Sequence, residues 1–422
     1  MKIPIAYGRD GLAIEIPEPN LAAILAMRGA PPLADPQASV RRALREPIGS
    51  APLEARAAGA RSACIVICDI TRPVPNTILL PPVLETLERS GMARERITVL
   101  IGTGLHREST PEEITAMVGS EIRDRYRIVS HRAREQGEQS DLGRTARGTP
   151  VHIDRAYCEA DIKITTGFIE PHLMAGFSGG RKLVAPGCAG EQTIKALHSP
   201  AFIEDPACRE GSIEGNPLHH ELLDIATMAG HDFILNVTLD PSHRITGLFV
   251  GDPLRAHEAG VAHARSAVGA TLDHPADIVI TTSAGHPLDL TFYQAVKGLT
   301  AALPVVRPGG LLIIAAECAE GLGSPEFTRM ATSFTSAQEF VEHLSRTPVE
   351  IDQWQLEECA KAARHAEVVL VSPTIAQRHG NQLFIRTSDR VEDALSDGFK
   401  RLGADASVAV IPSGPYTLVE VA

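Results

Sequence analysis

Four stretches of the sequence place acid, base and cationic side chains directly behind short apolar runs. The first, Cys68-Asp69-Ile70-Thr71-Arg72-Pro73, offers a carboxylate, a hydroxyl and a guanidinium. The second, Gly102-Thr103-Gly104-Leu105-His106-Arg107, sets an imidazole just past two glycines, where bare backbone lets a ligand come close. The third runs from Thr165 to Gly187 and holds Glu170, His172 and the string Ser178-Gly179-Gly180-Arg181-Lys182. Consecutive backbone N–H donors beside two cations are the ingredients of a nest for a phosphate or carboxylate. The string is neither a Walker A loop, because Leu183 follows the lysine, nor a G-x-G-x-x-G fingerprint. The fourth, from Thr281 to Gly298, carries Tyr293, Gln294 and Lys297, and the three-residue spacing of the last two puts them on one helix face able to clamp a carboxylate. Taken singly, these stretches also read as an Asp/Thr turn, a tight turn with an exposed histidine, and a solvated helix face.

Lysine is scarce: 7 of the 40 basic residues are Lys and 33 are Arg. Arginine would serve as well for charge alone, so Lys182, set among arginines, suggests a nucleophilic amine or a covalent linkage. His198 follows Glu191-Gln-Thr-Ile-Lys-Ala-Leu197, a position where a lone imidazole is more often a helix-end or core residue than a ligand. There is no H-E-x-x-H, no G-x-S-x-G and no close carboxylate pair, so hydrolase readings lose their usual supports.

The elements that must position these residues follow from the apolar runs. Strands are predicted over 63–70, 97–102, 161–166, 232–239, 277–282, 310–316, 367–371, 383–387 and 406–411. Helices are predicted between them over 82–90, 111–126, 217–229, 253–268, 352–366 and 391–402, the alternation of βαβ units. The first 20 residues read as a β-hairpin around Gly8-Arg9-Asp10-Gly11. With 44% hydrophobic and only 4% aromatic residues over 422 positions, the cores must be aliphatic, which suits buried parallel strands under Ala-rich helices. The fold class expected is α/β, with two domains of mainly parallel sheets and a boundary near 270.

A net charge of −12 without a basic stripe makes nucleic acid an unlikely partner. No apolar run approaches the length of a membrane span or a signal h-region, so a cytoplasmic protein without a membrane partner is expected. The seven cysteines are scattered without a C-x2-C, which argues against a disulfide framework and a thiolate zinc site.

Together the four stretches resemble the nickel-pincer lactate racemase family. The resemblance rests on Asp69-x-Thr-Arg-Pro73, Gly102-Thr-Gly-x-His-Arg107, His172-x-x-Ala-Gly-Phe-Ser-Gly-Gly-x-Lys182, His198, Phe292-Tyr-Gln-Ala-x-Lys-Gly298 and Asp352-Gln-Trp-Gln355. It implies a racemase or epimerase inverting C2 of a 2-hydroxy acid such as lactate or malate. Its cofactor would be a nickel-pincer nucleotide, a pyridinium-3,5-bisthiocarboxylic acid mononucleotide holding nickel, attached at Lys182. His198 would ligate the nickel, a metal that imidazole suits. His106 and His172 would be the acid/base pair; Arg72, Gln294 and Lys297, with Tyr293 and Trp354, would meet the substrate. Asp69, Thr71, Ser178, Gly179 and Gly180 would contact the cofactor, and Arg181 stands where a smaller residue was expected. The resemblance further implies cofactor-maturation enzymes as partners and an active site in the cleft between two domains. The N-terminal domain would span residues 1–270 with a returning segment 406–422, the smaller domain 275–405. Two alternatives are a pyridoxal-phosphate enzyme using Lys182, with the Ser-Gly-Gly loop cupping its phosphate, and a non-catalytic nucleotide-binding sensor.

Overall fold

The computed structural model describes residues 1–422 in two compact units. The first comprises Gly29–Leu197 and Ser212–Arg265; the second comprises Met1–Arg28, His198–Gly211 and Ser266–Ala422.

The first unit is built on β1 (Ala63–Cys68), β2 (Ile97–Gly102), β3 (Arg127–Ser130), β4 (Ile162–Phe168), β5 (Phe233–Leu239) and β6 (Ile245–Gly251). Across the sheet they run β6-β5-β4-β1-β2-β3, parallel except for the antiparallel pair β5/β6. β1 and β2 are apolar nearly throughout because both faces are covered. Ile65, Ile67, Val99 and Ile101 share one core with Leu79, Leu80, Val83 and Leu87 of the helix Asn76–Arg89. The strand order reverses between β1 and β4, and at such a reversal the connections leave in opposite directions and open a crevice beyond the carboxyl ends. Asp69 follows β1, Glu170 follows β4 and His106 follows β2, so the topology alone gathers three of the chemically loaded stretches at one sheet edge.

The second unit holds β7 (Ala276–Thr282), β8 (Val306–Ala315), β9 (Glu367–Val371), β10 (Arg386–Ser388) and β11 (Val408–Val410). With the upstream strand Leu21–Ile24 they form a fully parallel sheet in the order β10-β9-β8-β7-β11-(21–24). Alternate residues face opposite ways. Val279, Leu312 and Ile314 meet Phe292, Val296 and Leu299 on one side. Ile278, Ile280 and Ile313 meet Leu395 and the hairpin residues Ile3, Ile5, Ile14 and Ile16 on the other. That hairpin pairs Lys2–Ile5 with Leu12–Glu15.

This division departs from the one expected. Segment 406–422 does not return to the N-terminal domain, because β11 pairs with β7 inside the second sheet. Residues 1–28 join it there, since Leu21–Ile24 pairs with β11, a register carried by backbone hydrogen bonds that no side-chain pattern announces. Two further details differ from expectation. The helix expected over 111–126 is two, Pro111–Val118 and Ser120–Arg125, separated at Gly119. β6 was not anticipated; it is the antiparallel edge formed when the chain turns back through Asp240–Arg244. No helix is long and apolar enough to cross a membrane.

Candidate active site

In the first unit, Asp69 organises the ends of β1 and β2. Its Oδ1 accepts from Thr71 N (3.1 Å) and Thr71 Oγ1 (2.5 Å), and its Oδ2 lies 2.6 Å from His106 Nδ1. An ionised carboxylate only accepts, so Nδ1 carries the proton and the Nε2 lone pair is left outward. Burial pushes the Asp69 carboxyl up, but the hydrogen bonds from His106 and Thr71 and the charges of His106 and Arg72 outweigh it and hold the group below its ordinary value. Asp69 is 7% exposed, whereas the His106 side chain is 60% exposed, so the anchor is sheltered and the working nitrogen faces outward. The polar atoms of Asp69 and Thr71, expected to contact a cofactor, engage each other and His106 here.

Arg72 donates to Thr71 O (3.2 Å) and Oγ1 (3.3 Å), and its Nε lies 3.7 Å from Glu170 Oε1. The guanidinium expected to meet a substrate carboxylate is already beside a carboxylate of the chain. Glu170 was not singled out from sequence, since nothing local ties it to a residue 98 positions upstream.

His172 sits on a minimal hairpin in which Pro171 pairs with Phe177 and His172 with Gly176. Its Nδ1 accepts from Met174 N and Ala175 N, both at 3.2 Å, and its Nε2 is 2.6 Å from Lys182 Nζ. The hairpin depends on Gly176, which has φ +76°, and a Cβ there would run into the carbonyl oxygen of Ser212. Gly176→Ala is expected to destabilise the protein by about 3 kcal/mol or more, from left-handed backbone cost plus displacement of Ser212. A melting curve that matches wild type would show that the hairpin does not need this shape.

The Ser178–Lys182 loop is tied down by several hydrogen bonds of its own. Ser178 N and Gly180 N donate to Glu170 O and Asn236 Oδ1, and Lys182 N donates to Gly179 O. Ser178 Oγ donates to Phe168 O and accepts from Glu170 N. Arg181 is 1% exposed and turns inward, donating to Ala175 O (2.9 Å) and Gly179 O (3.4 Å) and lying 2.8 Å from His257 Nε2. Burial pushes its guanidinium down to about 9. The Arg181 guanidinium, suggested as a ligand contact, faces inward. The loop's glycines admit packing: a Cβ on Gly179 would press on Asn236 and Ile169, and one on Gly180 on His257.

In the second unit, the helix Phe292–Ala302 begins beyond the end of β7, capped by Thr291, whose side chain accepts from Gln294 N. It lies hard on the strand, because a Cβ on Gly298 would run into Thr282 O. Buried Asp289 pins the preceding loop by accepting from Gly8 N (2.6 Å) and Glu317 N (3.2 Å), a role the sequence did not signal. Tyr293, Gln294 and Lys297 are half-buried on this helix. Gln294 Oε1 is a buried acceptor without a donor. Trp354, on the helix Gln353–His365, donates from Nε1 to Tyr293 OH (3.2 Å), and its ring lies 4.7 Å from that of His198. Trp354 is 8% exposed and packs between His198 and Tyr293. No cluster of three or more His, Cys, Asp or Glu able to hold a metal ion is present.

Two mainly parallel sheets, one with oriented imidazoles beyond its carboxyl ends, give the layout of an α/β enzyme. The chain matches the model of the lactate racemase N-terminal domain over residues 7–211 and that of the lactate racemase C-terminal domain over residues 272–419. It is 35% identical to the lactate racemase of Thermoanaerobacterium thermosaccharolyticum over 422 residues and 35% identical to that of Lactiplantibacillus plantarum over 426, covering 99% of each chain. The structure of the lactate racemase apoprotein from T. thermosaccharolyticum superposes with a TM-score of 0.93 at 34% identity, covering 99% of this chain and 100% of that one. A Thermotoga maritima protein at 17% identity and a TM-score of 0.68 shares the fold. The chain belongs to the lactate racemase family and is an isomerase of the racemase class.

Proposed function

We propose that this chain inverts C2 of a small 2-hydroxy acid, lactate or a close relative, with His106 and His172 as its acid/base pair and a nickel-pincer nucleotide as its cofactor. The observation that carries the reading is the Asp69–His106 pair: at 2.6 Å it fixes the tautomer and leaves Nε2 as a base facing outward.

The residues fit that cofactor by their donor chemistry. His198 is a single imidazole with no grouping of protein ligands around it, so a metal held there must bring its other donors with it, as a pincer does. Lys182 supplies an amine for attachment, half-buried beside His172. When bound, the group would supply a reversible hydride acceptor for C2 of the substrate, and the chain's own residues would handle the hydroxyl proton and the carboxylate. His106 takes the hydroxyl proton of one enantiomer at Nε2, and His172 serves the other enantiomer, since the two hydroxyls arrive from different sides. Asp69 steadies the imidazolium formed on His106. Arg72 holds the substrate carboxylate once it exchanges Glu170 for it, and Gln294 and Lys297 supply further donors.

Full-length protein made together with its cofactor-maturation enzymes should interconvert the enantiomers of at least one acid in a panel of 2-hydroxy acids. His198→Ala should leave the protein folded and without nickel by metal analysis. Nickel-loaded holoenzyme that inverts no member of the panel would sink the reading.

A further inference from the structure

The two imidazoles are held in different ways. His106 leans on a carboxylate, whereas the ring of His172 is held by backbone, with Met174 N and Ala175 N each 3.2 Å from its Nδ1. Backbone can aim a ring only as well as it is itself fixed, and the hairpin around His172 has two residue pairs, too few to hold its own shape. The carbonyls of the same two residues are taken by buried side chains from outside the hairpin. Asn216, fully buried, donates from Nδ2 to Met174 O (2.8 Å), and Arg181 donates to Ala175 O (2.9 Å). Met174 and Ala175 are thus clamped on both sides, N–H toward the ring and C=O toward the interior.

Asn216 heads the helix Pro217–Met228, where its Oδ1 accepts from His219 N (3.0 Å). Serine or aspartate would cap that helix about as well, so capping does not call for an amide. The NH₂ group does. Besides Met174 O it reaches Ser212 O (3.0 Å), the atom that a Cβ on Gly176 would strike. One amide therefore fixes the hairpin at Met174 and also fixes the carbonyl against which Gly176 rests. Aspartate has no donor to offer there, and serine has one hydroxyl on a shorter arm. We infer that Asn216 is a positioning residue of this enzyme: it aims the His172 ring by holding Met174, with Arg181 as a second hold at Ala175. The inference rests on the proposed function only for the part that His172 plays in turnover.

Two measurements on Asn216→Ser test it. In the cofactor-free full-length protein, hydrogen exchange read residue by residue by mass spectrometry should quicken at Met174 and Ala175 by at least about tenfold, while the amides of the helix Pro217–Met228 stay within about threefold because serine keeps the cap. In the nickel-loaded enzyme kcat should fall by roughly 10–10²-fold with KM and nickel content unchanged, as expected of a misaimed group. Asp35→Ala, which removes the exposed cap of the helix Pro36–Arg45, should keep the wild-type kcat, which separates aim from general loss of stability. Should the serine variant not fold, Asn216→Asp keeps shape and cap, lacks only the donors, and carries the same comparison. Exchange that quickens equally in hairpin and helix, or in neither, overturns the inference, since Asn216 would then be a cap and nothing more. So does a wild-type kcat in Asn216→Ser when His172→Gln holoenzyme is slow. If His172→Gln also turns over at the wild-type rate, the acid/base role of His172 in the proposed function fails, and the exchange result alone decides whether Asn216 holds the ring.

Discussion

Asp69→Asn is expected to lower kcat of the nickel-loaded enzyme by roughly 10²–10⁴-fold while leaving nickel content and fold intact. The substitution changes no shape, so the effect has to come from proton placement. Thr71 N and Oγ1 both donate to the carboxylate oxygen they face. In the variant they select the amide oxygen for that position and turn the amide NH₂ toward His106 Nδ1. Nδ1 then accepts, the ring proton moves to Nε2, and the outward nitrogen loses the lone pair with which it would act as a base. A variant with kcat within tenfold of wild type would show that Asp69 does not set the tautomer. A variant that loses nickel would show that Asp69 touches the cofactor after all.

Glu357→Gln should make the protein more stable at alkaline pH and leave it unchanged in acid. Glu357 and Glu358 are fully buried on the helix Gln353–His365, and neither Glu357 oxygen has a hydrogen-bond partner. Burial, then the charges of Glu204 and Glu358, push Glu357 up to about 8, against the opposing pull of Lys361 and Arg364. Burial pushes Glu358 up to about 7, with Lys361 Nζ 3.2 Å away opposing it. An unfolded glutamate titrates near 4.3, so between there and pH 8 the native state binds more protons than the unfolded one. Stability therefore falls as pH rises through that window and levels off above it. Glutamine mimics the protonated acid at every pH, so it should recover on the order of 3 kcal/mol at pH 9 and nothing at pH 4. Calorimetric melting at both values checks this; an equal difference at the two would mean that packing, and not ionisation, is being measured.

The sheets were legible in the sequence because strands covered on both faces must be apolar throughout, as 63–68 and 97–102 are. Strand Leu21–Ile24 was not, since it alternates exposure and owes its place to backbone pairing with β11. The same contrast runs through the site. His106, His172 and Lys182 stood out because their residue types are unusual behind a strand or among arginines. Their partners did not: Asp69 lies 37 residues from His106, and its carboxylate could as well have faced a ligand. Arg181 looked like a second cation for an anion, and only the packing shows its guanidinium turned inward beneath the loop. Motif spacing locates reactive groups, whereas protonation states depend on neighbours brought in by the fold.

The assignment of residues 1–28 to the second unit has a consequence for biosynthesis. The Leu21–Ile24 strand is synthesised long before the strand it pairs with, Val408–Val410, and the hairpin long before the sheet it packs on. The apolar side chains of Ile3, Ile5, Ile14 and Ile16 must stay uncovered until the sheet of the second unit is made, while the first unit can close in the meantime. A fragment cut to residues 272–419 would lack both that cover and its edge strand, and should be recovered as aggregate unless residues 1–28 are supplied in trans.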